Sequence, residues 1–124
     1  MKTFPIKILI AITTTLISCN DTNTNTLIEN KTEFVNGLAS STFKVWGNCE
    51  MCKETIEGSL KIDGVIDSEW NTETKAMVVS YDTVKVSLNQ IEKNIALVGY
   101  DNEKYKGDDA AYKNLPECCQ YERK

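Results

Sequence analysis

Cys49 and Cys52 stand two residues apart in Trp46-Gly47-Asn48-Cys49-Glu50-Met51-Cys52. An alternating apolar stretch (Phe43, Val45) precedes them and one with helical spacing (Ile56, Leu60) follows. Two thiols at this spacing can converge on one soft metal ion. A helix start favours that chemistry, because its unpaired N–H groups and the positive end of the dipole stabilise thiolate, the form that binds metal. The same pattern also serves thiol–disulfide redox centres. Two further thiols, Cys118 and Cys119, lie near the C-terminus, and the chain has no histidine. Cys–His zinc sites, histidine acid–base catalysis and Cys–His nucleophile pairs are therefore excluded. With no catalytic constellation in view, the chain reads as a binding protein and not as an enzyme.

The elements that must hold the pair follow from periodicity. Thr42–Trp46 reads as a short strand with Phe43 and Val45 on one face. Glu50 to Lys61 reads as a helix with Cys52, Ile56 and Leu60 along one stripe. Asp63-Gly64 ends it. Val65 to Trp70 alternates as a second strand with Ile66, Ser68 and Trp70 in phase. Asn71 to Thr74 is a turn, and Lys75 to Tyr81 is a third strand with Met77, Val79 and Tyr81 on one face. Ser87 is suited to cap a second helix carrying Leu88, Ile91, Ile95 and Val98. Gly99 closes that helix, and Tyr100 to Lys106 is available as a fourth strand. The order βαββαβ predicts an α+β, ferredoxin-like sandwich, an antiparallel four-stranded sheet with both helices on one face. In so small a domain the apolar stripes are committed to packing.

The remaining chain divides into a leader, a tether and a tail. Lys2 and Lys7 precede an apolar run from Ile8 to Ile17, and Leu16-Ile17-Ser18-Cys19 ends it. The run is too short for a permanent membrane span. It resembles a bacterial lipoprotein signal peptide, which implies cleavage after Ser18, lipidation of Cys19 and a place in the cell envelope, periplasm-facing or at the cell surface. The alternative is an ordinary secretory leader. Residues 19–41, polar and rich in Asn and Thr, are expected to form a flexible tether, with Leu27 to Leu38 open to a turn or two of helix. The whole chain carries a net charge of −4, and removing residues 1–18 takes away two lysines and no acids, leaving −6. This balance argues against nucleic acid as a partner.

Within residues 42–106 the chain resembles the heavy-metal-associated domain family, which includes copper chaperones, the metal-binding domains of copper-transporting ATPases and the periplasmic mercury-binding protein. The resemblance rests on Cys49-x-x-Cys52, Ile56-Glu57, Gly64-Val65, Thr74-Lys75, Tyr81-Asp82 and Gly99-Tyr100-Asp101. It implies a soft metal, typically Cu(I), held by the two thiolates on an exposed loop and passed on by ligand exchange to an envelope transport or efflux protein. Hg(II), Zn(II) and Cd(II) are the alternative ions. Two-coordinate thiolate suits Cu(I) and Hg(II) better than Zn(II), which prefers four ligands. The resemblance also places an aromatic near the metal loop, where Tyr100 matches, although Tyr100 reads equally as a core residue.

Two departures stand out. The family loop usually reads Gly-Met-x-Cys-x-x-Cys, whereas here Asn48 alone separates Gly47 from Cys49. Met51 is then either a substitute anchor, a weak soft contact, or simply exposed. The other departure is the extension over residues 107–124. Asp108 can cap a short helix through Leu115, stopped by Pro116. About 12 Å of helix and a few extended residues at ~3.3 Å each reach back to the metal end. Adjacent cysteines bridge each other only with strain. Cys118 and Cys119 are therefore open as metal ligands, as disulfide partners of Cys49 or Cys52, or as separate thiols. Two other functions stay in play: a thiol–disulfide oxidoreductase, and an interaction module with structural disulfides. The first lacks a proline to face the cysteines, since only Pro116 follows the leader.

Overall fold

A computed structural model describes residues 31–123. Its strands are β1 (Lys31–Val35), β2 (Leu38–Lys44), β3 (Val65–Trp70) and β4 (Ala76–Asp82), and its helices are α1 (Glu50–Gly58), α2 (Leu88–Leu97) and the short α3 (Asp109–Lys113). One 3₁₀ turn, Glu117–Cys119, follows. The sheet order is β1-β2-β4-β3, antiparallel throughout. Phe43, Val45, Met77, Val79 and Tyr81 on the sheet share one buried cluster with Cys52 and Ile56 of α1 and Ile91 and Ile95 of α2. The opposite sheet face leaves Leu38 and Val78 exposed. One dry face and one wet face is the usual state of an antiparallel sheet. The four-stranded sheet and paired helices of the expected ferredoxin-like sandwich are present. Among the described residues no helix is long and apolar enough to cross a membrane.

The fourth strand comes from a different part of the chain than expected. Residues 100–106 make only one isolated bridge, Val45 with Asn102. The side-chain oxygen of Asn102 accepts from the N–H groups of Lys104 (3.1 Å) and Tyr105 (2.9 Å). That Asx turn bends the chain away from the sheet. Along most of its length, β2 pairs instead with β1, from Lys31 opposite Thr42 to Val35 opposite Leu38, across the Asn36-Gly37 turn. Both turn residues have positive φ (51° and 81°), as a tight hairpin requires. Residues 31–35 and 38–41 are thus strand, neither tether nor helix. The leader, Cys19 and the rest of the tether lie outside the described residues.

Smaller differences have local causes. The first helix stops at Gly58, short of Lys61, and Leu60 is buried from the turn that follows; glycine lacks the helix preference to carry it on. A register shift between Val65 and Asp67 breaks the phase of β3, so Ile66 points out at 59 % exposure while Trp70 is fully buried. The tail helix ends at Lys113, short of Leu115, while the expected caps are in place. Ser87 and Gln90 form a reciprocal capping box on α2. Gly99, with φ of 96°, ends the segment after α2, and Asp108 caps α3 by accepting from Ala111 N–H at 2.8 Å.

Removing β1 leaves one edge of β2 unpaired. A chain starting at residue 40 is expected to unfold at lower urea concentration than one starting at residue 31, by about 1–2 kcal/mol for the lost hairpin hydrogen bonds net of ordering. Equal midpoints would mean that the hairpin adds no stability.

Candidate metal-binding site

Cys49 is the N-cap of α1, in extended backbone (φ −139°, ψ −179°), and Glu50 follows in the first turn, where a carboxylate suits the dipole. The N–H groups of Cys52 and Met51 face its sulfur and lower the pKa of its thiol. Its Sγ lies 3.8 Å from Cys52 Sγ. Cys52 is buried, and its sulfur accepts from Asn48 N–H at 3.4 Å. Asn48, beside the pair as expected, thus orients the inner thiol.

The space under the loop is filled by a residue to which sequence reasoning gave no part in the site. Trp70 is fully buried, and its ring packs against Gly47 so closely that a Cβ on Gly47 would lie 2.8 Å from the ring edge. Its indole N–H donates to Val45 O at 3.1 Å, and its backbone N–H donates to Glu57 Oε1 at 2.8 Å. Trp70 thereby links the chain before the loop, through its indole, to the helix after it, through its backbone N–H. Met51 is half exposed and not an inward anchor. Its sulfur lies near the tail, with Cys118 Sγ 3.6 Å from Met51 Sδ.

The tail returns to this end of the domain. Cys119 Sγ lies 4.0 Å from Cys49 Sγ and 3.9 Å from Cys118 Sγ, and the sulfurs of Cys49, Cys118 and Cys119 all fall within 4.8 Å of one another. Asn48 Nδ2 donates to Cys118 O at 3.4 Å. Among the described residues all four cysteines are free thiols. Cys119 is buried, which pushes its pKa up to about 12, whereas Cys118 is exposed. Tyr100 also belongs here. It is fully buried, its hydroxyl forms no hydrogen bond, and its pKa is raised by burial and then by Cys52 and Cys119 beside it.

Tyr121 holds the tail in place, another residue that sequence reasoning missed. Its hydroxyl accepts from Asp101 N–H (2.7 Å) and donates to Gly99 O (2.8 Å). Its ring stacks on Tyr100 at 5.6 Å and meets Tyr112 edge-on at 5.2 Å. Arg123 adds an ion pair with buried Asp101 at 2.7 Å and lies over the Tyr112 ring. The sequence signal was weak, an aromatic two positions after a cysteine pair.

Comparison with known proteins bears on the domain that carries the Cys49–Cys52 pair. The heavy-metal-associated domain model matches residues 42–101. Over 55 residues the chain is 40 % identical to copper chaperone CopZ of Staphylococcus aureus (strain bovine RF122 / ET3-1), which spans 44 % of this chain and 81 % of that protein. The chain belongs to the heavy-metal-associated domain family. CopZ of strain JH9 is 38 % identical over the same length. A solution structure from Bacillus anthracis strain Ames, of a protein provisionally assigned as copper-ion-binding, superimposes with a TM-score of 0.52 at 30 % identity, covering 56 % of this chain and all of that one. This heavy-metal-associated domain carries Cys49 and Cys52 inside the matched residues, whereas Cys118, Cys119 and Tyr121 lie beyond them.

Two predictions follow from the packing and the thiol environments. Gly47→Ala forces its methyl into Trp70 and is expected to cost about 1–3 kcal/mol as an overpacking change, read by urea unfolding followed through tryptophan fluorescence. An unchanged midpoint would show that the ring yields freely. In the metal-free reduced protein near pH 8, Cys49 should alkylate well before Cys119, because thiolate is the reactive form. Peptide mapping of a labelling time course reads the order, and faster labelling at Cys119 would contradict the assigned environments.

Proposed function

We propose that this chain is a lipid-anchored soft-metal-binding protein of a bacterial cell envelope, with Cu(I) as its main cargo, that takes up and passes on the ion through Cys49 and Cys52. The observation that carries the reading is the Cys49–Cys52 sulfur pair, 3.8 Å apart at the start of α1, in a chain of the heavy-metal-associated family. The two relatives named copper chaperone support copper as the ion. Paired thiolates suit a soft ion of low coordination number such as Cu(I) or Hg(II), with Zn(II) and Cd(II) less well served.

Loading is an exchange of protons for metal. Each thiol that becomes a ligand releases its proton, and the N–H groups facing Cys49 favour that loss there. The N–H groups facing its sulfur continue to offset negative charge once the ion is bound. Release proceeds by attack of a partner's thiolate on the bound ion, after which the Cys49 and Cys52 sulfurs are displaced in turn. No bond to carbon is made or broken, so the protein acts as a carrier and not as an enzyme. In this reading Cys19 is lipidated after removal of residues 1–18, and the partner is an envelope transport or efflux protein that presents its own thiols. Nucleic acid is not a partner, in keeping with the acidic balance.

The test is a Cu(I) titration of the full chain, reduced and free of oxygen, against a competing chelator. Cys49→Ser/Cys52→Ser should lower affinity on the order of 100-fold or more, beyond the 10–100-fold expected for an outer contact. Wild-type protein that competes no better than this double variant would sink the copper reading. The same thiols would then be assigned to the disulfide-based alternatives, a thiol–disulfide oxidoreductase or a disulfide-stabilised interaction module.

A further inference from the structure

The family match ends at residue 101, so nothing in the family accounts for a second pair of thiols brought to the metal loop. The geometry points to a three-sulfur metal site, Cys49, Cys118 and Cys119, in which the C-terminal tail closes over the ion and turns a two-thiol exchange loop into a holding site for a soft cation. This rests on the copper reading and deepens it.

The three sulfurs have the spacing that one ion needs. Two edges of their triangle are 4.0 and 3.9 Å and the third is at most 4.8 Å. An ion in their plane would therefore sit within ~2.5 Å of each, against a metal–thiolate length of ~2.3 Å for zinc. Cys118 and Cys119 are neighbours in a 3₁₀ turn closed by Cys119 N–H to Pro116 O at 2.8 Å. A bond between adjacent cysteines strains the backbone, whereas a shared ion does not require their sulfurs to touch. A fourth soft atom, Met51 Sδ, stands 3.6 Å from Cys118 Sγ.

The tail is held there independently of any ion. Asn48 Nδ2 ties Cys118 O to the metal loop, and Tyr121 and Arg123 fix the residues just beyond. Exposed Cys118 gives the ion a way in, and buried Cys119 keeps solvent from the far side. The Tyr100 hydroxyl, fully buried and without a hydrogen bond, lies against Cys52 and Cys119. Because Cys49 belongs both to the triangle and to the Cys49–Cys52 pair, the ion can move between two sites without leaving the protein.

The experiment is Cu(I) loading of the full chain at one equivalent under reducing, oxygen-free conditions. It reads X-ray absorption for the number of sulfur neighbours, chelator competition for affinity, and the rate of loss to the chelator. Wild type is expected to show three sulfur neighbours. Cys118→Ser/Cys119→Ser should show two, with affinity lower by roughly 10–100-fold and faster release. Cys119 is buried, so the exposed Cys118→Ser alone is the second variant, expected to shift affinity and release the same way with an unchanged circular-dichroism spectrum. Wild type binding Cu(I) tightly with the same sulfur count, affinity and release rate as both tail variants would overturn the holding site and leave the Cys49–Cys52 carrier intact. Wild type binding no more tightly than Cys49→Ser/Cys52→Ser would overturn both.

Discussion

The Tyr121 hydroxyl is the contact on which the rest of this arrangement depends. It sits between Gly99 O and Asp101 N–H, two main-chain groups of the segment after α2. A strand needs those groups for its ladder. Here a side chain from the tail takes them, and Asp101 Oδ1 in turn accepts from Gly107 N–H at 2.7 Å. The segment still touches the sheet where Trp46 N–H donates to Asp101 O at 2.9 Å, and then leaves it. Buried main-chain polar groups must find partners somewhere. Satisfying them with Tyr121 both forgoes the expected strand and docks the tail beside the metal loop.

That substitution has an effect on the opposite side of the chain. With residues 100–106 withdrawn, most of one edge of β2 needs a partner, and the hairpin through Asn36-Gly37 supplies β1. The side chains of β1 are exposed along its length, so it adds backbone pairing more than core. An unpaired edge is open to association with other chains. Here the hairpin places β1 along β2, and Lys31 and Glu33 on β1 form an ion pair in water.

Much of this was readable in advance, and the failures share one cause. Regular periodicity exposed α1, α2, β4 and their buried faces, and capping chemistry marked Ser87, Asp108 and Gly99. Cys49 and Cys52 were plain from spacing, and simple reach allowed Cys118 and Cys119 to come back. The readings that failed were those in which a local pattern has two solutions and a distant contact selects one. Tyr100 to Lys106 has strand-like residues, yet Asp101 and Asn102 are also turn formers, and Tyr121 decides between them. The polar stretch before residue 42 has a disordered composition, yet a vacant sheet edge orders its end. Trp70 read only as one of three strand residues in phase; the 2.8 Å approach to Gly47 shows that it is the floor of the loop.

The direction of the hairpin has a geometric consequence for the whole molecule. Lys31 pairs with Thr42, near the end of β2 that leads into the metal loop, whereas Val35 and Leu38 lie at the far end. The chain therefore enters the domain close to the thiol pole. With Cys19 lipidated as proposed, the twelve residue steps from Cys19 to Lys31 reach at most about 40 Å when fully extended. An anchor there would hold the thiol pole nearer the bilayer than the Asn36-Gly37 pole. The domain would search a thin shell of space over the membrane surface, where the mouth of a membrane-embedded acceptor would lie, and not the bulk of the compartment.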